Sequence, residues 1–487
     1  MPLLGQKYYD TKSNPIAYSS SGFYFNWLIE NKVNYNTTIN EDHSLNLVLV
    51  QSAQKETYKG NNVTATDFPN DYIQTIGGGT VTKGNSDKTQ WSIASYLARA
   101  QYSYKGKYMA SAAIRADGSS RFGKNNRWGY FPSASAAWRI SGEDFFQNAK
   151  ALSFIDDLKI RASYGVTGNF QIGNYDHLSL MALDNYILGT NNGQLVYGYK
   201  PNTIKNEDLS WEKNAMVNAG IDVQMFKGLL GVTVDYYNTN TSNMLLNVPV
   251  PHLTGYSTAL MNIGKVNNRG WEIALTSQKN FTKDFGYSFN ANYSTTTNEV
   301  KALGPGDAPI ISTGSVDHAY YITKVGEPIG SYYLLVQDGI FSNEEELKKY
   351  PHFSNTKPGD FRFVDVDGDG VMDLDKDRTI VGNYMPDFTY GFGGKVWYKG
   401  IDLDFNFQGV YGNEILNLNR RYIDNMEGNV NGTTLALDRW KSADNPGNGQ
   451  VNRANRKSKG YNGRTSTWHL EDGSYLRLQN VTLGYTL

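Results

Sequence analysis

Apolar and polar residues alternate along most of this chain, in separate runs. In Ile401-Asp402-Leu403-Asp404-Phe405-Asn406-Phe407-Gln408 one set is Ile, Leu, Phe, Phe and the other is Asp, Asp, Asn, Gln. Successive strand side chains point to opposite faces, so this segment predicts a strand with one greasy and one wet side. Val217, Ala219, Ile221, Val223 and Met225 alternate with Asn218, Gly220, Asp222 and Gln224 in the same way. So do Phe285 to Tyr293 and Tyr96 to Tyr104. About thirteen runs fit the template. Helical periodicity is scarce and predicts short helices only over Glu143–Leu152 and Asn343–Lys349.

The joins between runs sharpen the picture. An aromatic-Lys-Gly triplet closes three hairpins, at Tyr104-Lys105-Gly106, Phe226-Lys227-Gly228 and Tyr398-Lys399-Gly400. Glycine supplies the positive φ a tight hairpin demands. Long connections rich in Asn, Gly, Ser and Asp are predicted over 57–87, 167–210, 239–262, 299–386 and 413–473. Tight turns fall at one end of the strands and long loops at the other, with the linker 141–156 as the exception. That asymmetry is usual in transmembrane barrels, whereas a soluble sandwich or propeller has no reason for it. Tyr102, Tyr104, Tyr108, Phe226 and Tyr398 lie beside the tight turns, where an interfacial aromatic girdle would sit. Ordinary cross-strand packing is the other reading of those rings. The predicted class is all-β, a transmembrane antiparallel β-barrel with long extracellular loops.

Composition removes several function classes. The 487 residues carry 46 Lys+Arg against 47 Asp+Glu, a net charge of -1. Nucleic acid as a partner would require a basic surplus. There is no cysteine, so thiolate metal sites and cysteine nucleophiles are excluded, and the six histidines are too scattered to make a local ligand pair. Mean hydropathy is -0.52 and no run is long enough for a membrane helix. Strands remain possible, because only every second residue must be apolar. The start, Met1-Pro2-Leu3-Leu4-Gly5-Gln6, has no basic region followed by an apolar one, so no signal peptide is expected there.

One segment suggests an ion. Asp365, Asp367, Asp369 and Asp373 occupy positions 1, 3, 5 and 9 of a calcium loop, with Gly370 at the sharp turn and the Val371 carbonyl at position 7. Position 12 departs from the pattern: Lys376 stands where a bidentate Glu is usual, flanked by Asp375 and Asp377. The loop reads either as a structural calcium site or as a surface loop of Asx turns. Loop aromatics Tyr197, Tyr199, Tyr461 and Trp468 are candidates for stacking on sugar rings, or for loop packing. No catalytic constellation is visible. Gly391-Phe392-Gly393-Gly394 lies in a predicted strand and opens no helix, so it is no phosphate loop.

Several stretches, in order, resemble one family: Arg115–Gly123, Arg127–Ser133, Leu158–Asn169, Asn262–Glu272, the aspartate loop 365–377, Pro386–Gly391 and Tyr475–Tyr485. The chain resembles the SusC-like group of TonB-dependent outer-membrane nutrient transporters from about residue 20 to its last residue. The resemblance implies a parent barrel of ~22 strands with a plugged lumen. Residues 1–487 would be a partial TonB-dependent receptor barrel domain, with signal peptide, plug domain and TonB box before it and about two strands after it. It further implies outer-membrane location, no enzymatic activity, and import of oligosaccharides or peptides driven by the TonB complex through the missing amino-terminal part. A SusD-like surface lipoprotein would serve as lid. The competing reading is a secreted, calcium-dependent glycan-binding β protein; a β-rich glycoside hydrolase has only scattered carboxylates in its favour.

Overall fold

The computed structural model describes residues 16–486 except 71, 74, 190–192, 257, 315–319, 425, 427–430 and 456–460. The predicted absence of a signal peptide at Met1–Gln6 falls outside them. The alternating runs become strands β1 (Ala17–Ile39), β2 (His43–Thr66), β3 (Thr80–Tyr104), β4 (Tyr108–Ser119), β5 (Trp128–Arg139), β6 (Ile155–Asn169) and β7 (Glu212–Met225). They continue as β8 (Leu230–Pro249), β9 (Thr258–Asn280), β10 (Phe285–Thr295), β11 (Phe388–Tyr398), β12 (Ile401–Tyr411) and β13 (Tyr475–Tyr485). Each pairs antiparallel with the next, in one sheet with β1 and β13 at its edges. Thr297–Ala302 pairs off this path with β9. Among the described residues no helix is long and apolar enough to cross a membrane.

The joins sort by end. Residues 40–42, 105–107, 226–229, 281–284 and 399–400 are tight and, with the linker 140–154, share one end. Residues 67–79, 120–127, 170–211, 250–257, 296–387 and 412–474 share the other. At the tight turns lysine as well as glycine takes positive φ: 52° and 63° at Lys105 and Gly106, 46° and 84° at Lys399 and Gly400. Two consecutive left-handed residues match the right-handed twist of the strands they join.

Two predicted loops are largely strand. The 57–87 connection is the continuation of β2 and β3, paired as far as Thr66 and Thr80, and the 239–262 connection shrinks to 250–257. These hairpins lack the alternation used to find strands: the β2–β3 extension is largely polar on both faces, and on the β8–β9 extension Leu245 and Leu260 pack against one buried cluster while Met244 and Leu246 pack against another. The helix expected over Glu143–Leu152 is also corrected. It breaks into a 3-10 turn (Ile140–Gly142), a single α turn (Asp144–Gln147) and a second 3-10 turn (Lys150–Leu152). Phe146 is buried while Phe145 turns outward against Trp138, so no single apolar stripe holds a helix together. The second helix forms over Glu344–Lys349, with Asn343 accepting the backbone N–H of Glu345 and Glu346 as its cap.

Register keeps the two faces apart. Between β12 and β13 the pairing shifts after Asn406↔Asn480 to Phe407↔Leu478, leaving Gln479 as a bulge. The bulge puts Leu476 and Leu478 on the same face as Val481 and Leu483. On the long-loop side, segments 296–387 and 412–474 build a core of their own. Leu335, Ile340, Phe353, Phe361, Phe363 and Met372 are buried there, with Trp440, Tyr461 and Trp468 packed against them.

Candidate functional site: the polar face and the loop side

The apolar face of β11–β13 carries Val396, Tyr398, Ile401, Leu403, Leu478, Val481 and Leu483, all exposed. A row of apolar side chains open to the surroundings on every strand is what a bilayer-facing sheet requires and what a water-soluble one avoids. At the tight-turn end the aromatics join up along the sheet. His43–Tyr104, Tyr104–Tyr108, Tyr108–Trp138 and Trp138–Phe145 follow one another at centroid distances of 4.8, 6.4, 6.3 and 6.4 Å. Phe154–Phe226, Phe281–Phe285 and Phe285–Tyr398 extend the belt at 5.7, 5.0 and 6.1 Å. The rings expected in a girdle thus pack with one another along the edge of the greasy face, which satisfies both readings of them.

The polar face is divided into sectors. On β2–β5 part of it is small and uncharged, where Ser44, Asn46, Gln101, Ser111 and Ser135 line a shallow cavity, while Arg115, Asp117 and Arg139 share the same phase. On β6–β8 it is ionic. Arg161 of β6 reaches Asp222 of β7 at 3.3 Å and, across Gly220, Asp235 of β8 at 2.6 Å, while Lys159 holds Asp222 at 2.8 Å. A Cβ at Gly220 would lie 2.6 Å from the Asp235 carboxylate and 2.7 Å from the Arg161 guanidinium, so glycine is what lets the arginine bridge. These partners are far apart in sequence. The only signal in the chain is that charged residues fall on the polar phase of their runs. On β10–β13 the face presents Asn290, Asn292, Asn406 and Gln408 together with Arg477 and the Lys395–Asp402 pair.

The residues that carry the family resemblance turn out to be structural. Arg115 pairs with Asp117 at 2.7 Å and with Ser95 at 3.1 Å. Phe122, Phe131, Leu209 and Trp211 form a buried cluster at the long-loop end, and Trp211 donates to the Arg127 carbonyl at 2.9 Å. A Cβ on Gly168 would lie 2.1 Å from the Phe131 ring, so the glycine clears room for it. At Gly270 a Cβ would be 1.9 Å from the Thr295 carbonyl. There β9 exchanges its neighbour β10 for Thr297–Ala302, and only glycine allows so close an approach.

The aspartate loop is ordered by its own backbone. Asp365 accepts the N–H of Gly368 and Gly370 at 2.8 and 2.9 Å, Asp367 that of Asp369 at 3.1 Å, and Asp369 that of Val371 at 2.9 Å. Asp373 accepts from Asp375 and Lys376. Asp377, fully buried, accepts from Val366 at 2.9 Å and Asp373 at 2.6 Å and so closes the loop. One carboxylate oxygen each from Asp365, Asp367 and Asp369 lies within 4.8 Å of the other two. Asp375 points outward, 91% exposed, to Arg378 at 3.4 Å. Lys376 binds Asp369 at 3.2 Å. The Asp369 carboxyl is held below its ordinary range, first by the Val371 N–H and then by Lys376; backbone N–H bonds from Asp375 and Lys376 do the same for Asp373.

The four loop aromatics separate into two kinds. Tyr461 stacks on Phe353 at 3.9 Å, and Trp468 lies between Phe361 at 5.4 Å and the Arg420 guanidinium at 4.2 Å. Tyr197 and Tyr199 are 72% and 68% exposed and present free ring faces. Sequence reasoning passed over His469, which is buried beside Trp468 and accepts the Ser466 N–H at 3.3 Å. Burial, then the Arg420 charge, lowers its pKa to about 4.

A sheet with a bilayer face, a charged and polar opposite face, an aromatic belt and all long loops at one end defines an outer-membrane β-barrel wall. The sequence model described as "TonB dependent receptor-like, beta-barrel" matches residues 4–487. The chain belongs to that family, in its SusC-like group, and the family is one of membrane receptors and transporters rather than enzymes. TonB-dependent receptor P39 of Formosa agariphila is 33% identical over 95% of this chain and 47% of its own length. TonB-dependent receptor SusC of Bacteroides thetaiotaomicron is 29% identical over 82% of this chain and 38% of its own. Among solved structures, the RagAB peptide transporter superposes with a TM-score of 0.79 at 26% identity, over 97% of this chain and 50% of that one. The chain therefore spans about half the length of the curated relatives it matches.

Proposed function

We propose that this chain is the greater part of the wall of an outer-membrane nutrient importer. The parent protein takes up oligosaccharides or peptides, is energised by the TonB complex through parts outside this chain, and works with a SusD-like surface lipoprotein on the long-loop side. The observation that carries the reading is the division of one continuous sheet into a bilayer face and a hydrogen-bonding face. An importer needs both, and a secreted glycan-binding protein has no use for the first. The packed unit built from 296–387 and 412–474 offers the lipoprotein a firm surface, and Tyr197 and Tyr199 are the rings free to meet a substrate. Deleting the parent gene and growing cells on defined glycans and defined peptides tests the reading. Loss of growth on one class, restored by the gene, is expected; unchanged growth on all of them would refute it.

Calcium at the aspartate loop is proposed on the convergence of Asp365, Asp367 and Asp369, with Asp373 and the Val371 carbonyl completing the ligand set. Lys376 would have to release Asp369. In the intact transporter, protease cleavage of this loop should slow in calcium relative to chelator, and Asp369→Ala should abolish the difference. Identical cleavage in both media would remove the ion from the account.

A further inference from the structure

The outward face of the sheet continues past the bilayer, and there it is basic. A second aromatic belt marks the change. Tyr96–Trp128, Tyr236–Trp271 and Tyr293–Phe388 meet at 6.1, 4.9 and 5.2 Å, all on the apolar phase of their strands. Along β3, Tyr96 lies roughly 20 Å from Tyr104 of the first belt, measured on the bilayer normal at the usual strand tilt. Beyond the second belt the outward phase of β1–β9 holds Lys55, Lys59, Lys88, Lys213 and Arg269 and no carboxylate. The carboxylates of the same stretches, Glu30, Glu56, Asp87, Asp117 and Glu212, stand on the other phase. Among the described residues none of the five cations makes an ion pair. In a chain of net charge -1 this is segregation and not excess.

The basic collar is densest on β1–β3. Its outward rungs read Trp27-Lys55-Ser92, Phe25-Thr57-Gln90 and Phe23-Lys59-Lys88, in order away from the bilayer. Lys59 and Lys88 stand directly opposite each other, which costs stability unless an anion lies between them. Phe23, Phe25 and Trp27 are exposed although they lie beyond the apolar band. Directly below, between the rung Val33-Leu49-Ala98-Ile114 and the rings of Tyr96 and Tyr130, the bilayer face is hollowed to about 470 Å³, because alanine stands at 98 and 116.

We propose that this column seats a phosphorylated, multiply acylated glycolipid of the outer leaflet. Its fatty chains fill the hollow and its anionic groups meet the three lysines. Lys55 lies roughly 10 Å above the Gln51–Tyr96 rung, at the level of headgroup phosphates. Lys59 and Lys88 lie roughly 20 Å above it, at the level of anionic groups on the sugars joined to that headgroup. Trp27 and Phe25 give the sugar rings a flat apolar surface between the two levels. A plain phospholipid ends at the lower level and would leave the upper lysines and the rings uncovered. A second copy of this chain docked by the same face would set lysines against lysines. The proposal depends on the outer-membrane location and not on what the parent protein imports.

The test uses the full-length protein in detergent, stripped of bound lipid. It is titrated calorimetrically with rough-type lipopolysaccharide, the same material after phosphatase treatment, dioleoylphosphatidylglycerol and inorganic pyrophosphate. Lys55→Gln/Lys59→Gln/Lys88→Gln should weaken lipopolysaccharide at least tenfold, and Ala98→Leu/Ala116→Leu, which fills the hollow, should do the same. Lys213→Gln/Arg269→Gln, elsewhere in the collar, should stay within twofold of the parent. Phosphatase treatment should reproduce the loss in the parent and add little to it in the lysine variant. Lys59→Gln/Lys88→Gln replaces the triple variant if that one fails to shift with heat on a gel as folded barrels do. Lipopolysaccharide affinity within twofold of the parent in the lysine variant would overturn the assignment. So would an equal loss in the Lys213/Arg269 variant, which would mean attraction to the collar at large, or equal affinity for dioleoylphosphatidylglycerol, which has no sugars. Pyrophosphate bound as tightly as lipopolysaccharide, and unaffected by filling the hollow, would leave a free-anion site and no glycolipid. A parent that is dimeric by mass photometry, with a monomeric lysine variant, would make the face an interface between copies, and the proposal falls.

Discussion

Phe405 and Asn406 are neighbours in sequence and face different media. Phe405 covers Gly394 on the bilayer face, where a Cβ on that glycine would lie 3.1 Å from the ring, and Asn406 lies exposed on the polar face opposite Gly393. Phe405→Arg should cost roughly 2–4 kcal/mol near the midplane, while Asn406→Arg should be nearly neutral for folding. Heat-modifiability of the full-length protein separates them, and equal tolerance of both would contradict the assigned faces. His469 makes a second prediction at this scale. Its folded-state pKa is lowered from 6.5 to about 4, so below 6.5 the unfolded loop takes up the proton first. The stability is fully present above pH 6.5 and is lost as pH falls toward 4, by roughly 3 kcal/mol if burial is complete. Protease cleavage within 412–474 should rise from pH 7.5 to pH 4.5, and His469→Gln should flatten that rise.

At the scale of elements, period-two alternation made β7, β10 and β12 legible, because each has a bilayer on one side and polar surroundings on the other. The ends of β2 and β3 were not legible, because Lys59 to Thr66 and Thr80 to Lys88 need no greasy face. The ionic ladder escaped as well: Arg161 lies 61 residues from Asp222 and 74 from Asp235, and only the sheet brings them together. The aspartate loop was found by spacing, yet its closure by Asp377 depends on backbone directions that spacing does not carry. The tight turns were found through glycine, with the lysine's positive φ unforeseen. Gly400 sits at φ 84°, and a Cβ there would meet the Thr486 carbonyl at 2.7 Å. Gly400→Val should therefore destabilise the barrel by about 1–2 kcal/mol. Lys399→Asn, better suited to its φ of 46°, should be neutral or mildly stabilising in the same denaturation measurement.

For the whole molecule, the sorting of joins by end predicts a topology. Short turns face the periplasm and long loops the cell exterior in barrels of this kind. An epitope inserted after Gly432 should be labelled on intact cells, and one at Gly228 only after the outer membrane is opened. Labelling at Gly228 on intact cells would invert the molecule and move the aspartate loop to the periplasmic side.

The unpaired Gln479 has a consequence for how this strand tolerates changes in length. Deleting it would join Leu478 to Asn480 and leave every other side chain of β13 on its present side. Deleting Thr482 instead would turn over the rest of the strand from that point, exchanging greasy for wet. Relatives should therefore gain or lose single residues at this place in the strand and keep a fixed count on either side of it. A deletion series through 476–484, scored by insertion into the outer membrane, should show one permissive position among intolerant neighbours.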